Sequence, residues 1–283
     1  MGYSTLLVHL KLGATNEGLL QIAGDLAERF DAHVIGVAVS KLISSVYLEM
    51  LPQYTAQTEG EDLTESDRRI TERMFAEAEQ QFRAALQSRA RSVEWRATMT
   101  RNSRSHYVAR QARAADILLT SPVFDGPFAD PRQELSVGDI VLYAGRPVLL
   151  IPPDTQHLNV DSVMIGWKDT RESRRAVTDA LSLLKLARQV TIVEITAAQD
   201  LPDAKRHVND VIGWLQRHGI AAEPRLETFK GMECVQLDSI AQEIGAGLFV
   251  AGSYGHTRLR EWVIGGVTKD LLLHPRRPTL ISH

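Results

Sequence analysis

The chain has 283 residues, 44% of them apolar and 24% charged, with a net charge of −3. This is the balance of a soluble globular protein long enough for two domains, and the charge gives no overall electrostatic case for nucleic acid or an anionic membrane as partner. The single cysteine, Cys234, excludes an internal disulfide and reads as a small apolar helix residue, and no Cys/His cluster has metal-ligand spacing. No charged-then-apolar leader and no apolar run near the roughly 20 residues of a membrane span is present, so the expected location is cytoplasmic.

The first element is a strand over 4–11, an apolar run through Leu6, Leu7 and Val8 that ends at Lys11. A helix is expected over 16–30, where Leu19, Leu20, Ala23, Leu26 and Ala27 recur at helical spacing. A strand over 32–38 follows. Residues 41–61, with Leu42, Ile43, Tyr47 and Tyr54, read as a long surface loop, with a lid or an interdomain packing element as alternatives. Then come a helix over 65–89, a strand over 93–99 leading into a further helix, and a strand over 115–120. The loop beyond it carries Pro122, Pro127 and Pro131, which remove backbone donors, and Asp125 and Asp130, which repel a phosphate. A fifth strand over 146–151 closes this half, and Pro152-Pro153-Asp154-Thr155 reads as a short linker.

The same series then begins again. A strand over 161–168 ends at Lys168 as the first strand ends at Lys11. Helices are expected over 172–187 and 204–218, and strands over 189–195, 224–229, 246–251 and 277–282. From the fourth strand onward the two halves keep an offset of 130 to 131 residues, so the chain is an internal repeat. Strands alternating with helices imply right-handed crossovers and a parallel, doubly wound sheet. The expected fold class is α/β, with two tandem Rossmann-like domains, 1–152 and 156–283, each having its own five-stranded parallel sheet rather than sharing one continuous sheet.

The most informative stretch lies near the C-terminus. The apolar run Leu248-Phe249-Val250-Ala251 is followed by Gly252 and Gly255, and nine residues separate Gly255 from the pair Gly265-Gly266. A glycine turn at a strand end lets backbone N–H groups converge on an anion, and a second glycine site at a helix start adds donors and the positive end of the helix dipole. The spacing resembles the nucleotide motif of the universal stress protein family, in which Gly, two residues, Gly, nine residues and Gly precede a Ser or Thr. Gly252, Gly255 and Gly265 fill the glycine positions, while Gly266 stands where the family has the hydroxyl.

The resemblance covers essentially the whole chain and implies a tandem member. Its halves would pair as an internal pseudo-dimer through their fifth strands, with a homodimer as a further possibility. It also implies ATP or ADP in the second half only, because in the first half Leu135 stands where Gly265 stands in the second. Phosphates would lie near Ala251, Gly252, Gly255, His256, Gly265, Gly266 and Val267. The adenosine part would lie near Gly166, Lys168, Asp169 and Val193. Lys168 departs from the aspartate that the family places after the first strand. Asp169 substitutes from one residue later, Lys168 reaches a phosphate, or Lys168 is a solvated strand-end lysine. His256, Arg258 and Arg260 offer charge beyond the loop. His9, His106, His207 and His274 show no nucleophile or carboxylate partner by spacing, and no general base or metal carboxylate is nominated. Three functions stay open: a stress-linked nucleotide-binding module, a nucleotide-free interaction protein, and a slow ATPase.

Overall fold

The structure, a computed structural model, describes residues 2–41, 60–122, 135–253 and 275–283, without the side chains of residues 60–64 and 66. The glycine loop from Gly255 to Val267, together with His256, Arg258, Arg260 and His274, lies outside the described residues. So does nearly all of the 41–61 segment and the first-half loop from Val123 to Ala129 and beyond to residue 134.

The first half runs β1 (Thr5–His9), α1 (Glu17–Phe30), β2 (His33–Lys41), α2 (Gly60–Leu86), β3 (Ser92–Thr100), α3 (Arg104–Gln111), β4 (Ile117–Thr120), α4 (Val137–Ala144) and β5 (Val148–Leu150). The second half repeats the order as β6 (Ser162–Gly166), α5 (Arg171–Leu184), β7 (Gln189–Thr196), α6 (Leu201–Arg217), β8 (Glu223–Thr228), α7 (Glu233–Glu243), β9 (Leu248–Gly252) and β10 (Thr279–Ser282). The spatial order is β3-β2-β1-β4-β5-β10-β9-β6-β7-β8. Each half is thus a doubly wound sheet of five parallel strands, and the second is the first read backwards.

The expectation of two separate sheets is corrected. β5 and β10 pair antiparallel, with Leu149 opposite Leu280, Val148 opposite Ile281 and Leu150 opposite Thr279, so one ten-stranded sheet crosses both halves. The fifth strands of the two halves meet at this seam. The physical reason is burial. All six of these residues are fully buried, and an apolar strand of that kind left at an edge would offer water a row of unpaired backbone groups. The true edges are β3 and β8, and both are laced with charge. Glu94 pairs with Arg96 at 2.8 Å, and Arg225 with Glu227 at 3.3 Å. Charged edges of this kind discourage pairing with another chain.

Helices cover both faces. α1, α2, α5 and α6 share one face, where Leu6, Val8, Phe82, Ile165, Val177 and Val250 belong to a single apolar cluster spanning both halves. On the other face α3 and α4 cover the first half, and α7 packs over Met164, Val193 and Phe249 of the second. Ile281 of β10 belongs to the first half's cluster on this face, so the seam is also shared side-chain packing. Among the described residues no helix is long and apolar enough to cross a membrane.

Candidate functional site

In an open α/β sheet, ligands bind beyond the carboxyl ends of the strands where the connections change direction. In the second half that point lies between β6 and β9, and their last paired residues are Gly166 and Ala251. Sequence and topology therefore bring Gly166, Ala251 and Gly252 to one place.

Close approach explains both glycines. A Cβ on Gly252 would sit 2.5 Å from the backbone carbon of Glu172 and 2.5 Å from the Ser173 nitrogen, so only glycine lets the first turn of α5 rest on the end of β9. That turn is capped by Thr170, whose hydroxyl accepts from the Ser173 N–H at 3.3 Å. The positive end of the 14-residue helix α5 thus abuts the strand end that opens the glycine motif. Gly166 has another reason: the Phe249 ring covers it, 2.7 Å from where its Cβ would be.

The other predicted residues of this half take up definite partners. The N–H of Trp167 donates to the Val193 carbonyl at 2.8 Å, which holds the β6 end against β7. The Lys168 ammonium sits on the Glu233 carboxylate at 2.8 and 3.0 Å, at the start of α7. Asp169 turns outward and pairs with Arg174 of α5 at 2.6 Å, both groups being half-exposed. Glu233 was not foreseen as the partner of Lys168; it lies 65 residues away, and only the sheet order brings α7 there.

Two further pairs escaped the sequence reading. His207 of α6, expected to have no carboxylate partner, is 2.6 Å from the buried Glu194 of β7. The contact crosses a strand-to-helix connection, which spacing along the chain does not reveal. At the end of β9, the Ser253 hydroxyl is 3.2 Å from His283 Nδ1, and the Ser253 N–H donates to the Ser282 carbonyl at 2.7 Å. This pair places a hydroxyl and an imidazole next to Gly252.

The first half fills the same place differently. Register aligns His9 with Gly166, and Thr120 with Ala251. His9 is buried, with Nδ1 3.0 Å from the Thr120 hydroxyl. Burial, reinforced by the nearby Lys11 and Arg104 charges, pushes the imidazole down to a pKa of about 3, so it is neutral. The Lys11 ammonium donates to the Pro122 carbonyl, and burial lowers its pKa as well. Side chains and a proline segment therefore occupy the strand ends that carry glycines in the second half. Among the described residues no group of His, Cys, Asp and Glu is arranged to hold a metal ion.

No family model matches the sequence, and no curated protein matches it. Solved structures do match its fold. A universal stress protein from Archaeoglobus fulgidus DSM 4304 superposes with a TM-score of 0.67 at 16% identity, over 98% of this chain and 95% of that one. A functionally unknown protein from Pseudomonas aeruginosa PAO1 gives 0.61 at 15% identity, over 99% and 92%. A protein from Pseudomonas aeruginosa UCBPP-PA14, provisionally described as a universal stress protein, gives 0.61 at 15%, over 99% and 93%. At such identities the likeness is one of fold, and the chain has the fold of the universal stress proteins along its full length.

Proposed function

We propose that this chain is a tandem universal stress protein of two domains, 1–152 and 156–283, and that it binds ATP or ADP in the second domain as a stress-linked binding module. The observation that carries the reading is the contrast between the two strand-end crevices. The second half sets Gly252, the first glycine of the Gly-x2-Gly-x9-Gly series, at its crevice, with a helix N-terminus against it. The first half sets His9, Thr120 and Pro122 at the equivalent place. Main-chain donors at Gly255, Gly266 and Val267 would hold the phosphates, and the start of α5 adds the favourable end of its dipole. Ala251, His256 and Gly265 flank that phosphate site. The adenosine part would lie by Gly166 and Val193, near Lys168 and Asp169.

Gly266 offers no hydroxyl, and losing one such bond to a charged phosphate lowers affinity about tenfold without abolishing it. Turnover of bound ATP is expected to be slow or undetectable, below the roughly 1 s⁻¹ of ordinary enzymes. Mass spectrometry of small molecules released from purified, denatured protein tests the reading: ATP or ADP near one per chain is expected. A second reading, a nucleotide-free interaction protein, is favoured by the Lys168–Glu233 pair, which already neutralises the one lysine at the strand end of β6. Absence of any released nucleotide, together with no binding of added ATP, would select that second reading.

A further inference from the structure

β8 is the last strand of the sheet, so the backbone groups on its outer side have no strand beside them. The N–H of Phe229 donates to the Thr196 carbonyl of β7 at 2.9 Å. Backbone groups alternate along a strand, so Arg225 and Glu227 also turn theirs to β7, while Pro224, Leu226 and Thr228 turn theirs outward. The outer side thus offers the N–H groups of Leu226 and Thr228 and the carbonyls of Pro224 and Leu226. The Thr228 carbonyl is already taken, by the Gln236 side chain at 2.9 Å.

This set is complementary to itself. Two copies of β8 set antiparallel, with Leu226 opposite Leu226, exchange a pair of N–H···O=C bonds between the leucines. The Thr228 N–H of each copy then meets the Pro224 carbonyl of the other. Pro224 has no N–H to return, and the carbonyl that would need it is the one that Gln236 holds. The same register puts Arg225 of each copy directly opposite Glu227 of the other, and opposite charges across an antiparallel pair are favourable. Both charges lie on the α7 side, where Arg225 reaches Glu243 at 2.7 Å, whereas Leu226 packs on the other face of the sheet.

Apolar surface lies beside this edge. Among the described residues five large apolar side chains are exposed, and Phe229, Met232 and Val235 are three of them. A groove of about 500 Å³ runs between β8 and α7, lined by Arg225, Glu227, Met232, Val235, Ser239 and Glu243. The antiparallel register places Phe229 opposite Glu223 of the second copy, at the end of that copy's groove where Arg225 meets Glu243. The first half is polar at this place. Its edge strand β3 carries Glu94 and Arg96, but Arg96 is tied to Gln111 at 2.9 Å, and the connection that follows β3 is Arg101-Asn102-Ser103.

We propose that β8 is a docking edge for a second copy of this chain, the two strands pairing antiparallel about Leu226 and each copy covering Phe229 of the other. The two-fold axis makes the contact isologous, so association stops at two chains. The charges that turn away other strands select this one.

Sedimentation of the full-length protein from roughly 1 µM to 0.3 mM tests the proposal, since small polar interfaces associate in that range. The mass is expected to rise to twice that of the chain. Arg225→Glu and Glu227→Arg each set like charges across the pair, and each should keep the chain monomeric over the whole range. Mixed in equal amounts, the two variants restore both opposite-charge pairs and should form a heterodimer, which chains that had merely misfolded could not do. Phe229→Ser, at an exposed position, should weaken the dimer at least tenfold. A native chain still monomeric at the top of the range overturns the proposal and leaves the edge to a strand of another protein. A dimer that survives either charge reversal, or single variants that stay apart when mixed, overturns it as well.

Discussion

His9 lies at the strand-end crevice of the first half and Gly252 at that of the second, and the two are held by opposite physics. His9 is neutral because burial holds its pKa at about 3, against 6.5 when exposed. Between those values the unfolded chain takes up a proton that the fold refuses, so stability falls as pH drops through that window and is unaffected by this residue above it. The slope from one such group is about 1.4 kcal/mol per pH unit. Urea unfolding from pH 7 down to pH 4 should therefore show a steep loss in the native chain and a shallower one in His9→Gln; parallel slopes would remove His9 as the cause. Gly252 is fixed by close packing. Gly252→Ala would drive a methyl into the backbone of Glu172 and Ser173, which cannot yield as a side-chain tip would. Overpacking of this kind costs about 1–3 kcal/mol, and thermal unfolding should show the loss without nucleotide present. An unchanged melting temperature would mean that α5 does not rest on β9.

At the scale of elements, the seam between β5 and β10 carries the most consequence. Leu149 and Leu280 face each other, each fully buried, and they are counterparts in the repeat. Truncating either removes the same contact from the same place, so Leu149→Ala and Leu280→Ala should each cost about 2–5 kcal/mol, and the double variant less than their sum. Strictly additive losses in denaturant melts would argue against a shared contact. The elements themselves were legible in the sequence to within a few residues. The helix expected over 16–30 is α1 at Glu17–Phe30, and the strand expected over 189–195 is β7 at Gln189–Thr196. These segments announce themselves because each must bury a face with a fixed period. α2 begins earlier than expected, at Gly60, because its polar first turns carry no apolar stripe to mark them.

At the scale of the whole molecule, the internal repeat specifies the two parallel halves, and burial of both fifth strands joins them into one sheet. That joining was not legible as hydrogen bonding: an apolar strand such as Val148-Leu149-Leu150 reads alike whether its neighbour lies in its own half or the other. The candidate site was legible in part. Gly166, Ala251 and Gly252 lie at neighbouring strand ends, which the apolar runs before them mark in the sequence, whereas the Lys168–Glu233, Glu194–His207 and Ser253–His283 pairs depend on long-range placement that no local spacing encodes. The central claim is asymmetry: two halves of one fold, of which only the second holds a nucleotide. Calorimetric titration of the full-length protein with MgATP tests it most directly. The account predicts one site per chain, lost in Gly255→Val, where an added branched side chain blocks close backbone approach, and retained in His9→Gln. Two sites per chain, or undiminished binding by Gly255→Val, would contradict it.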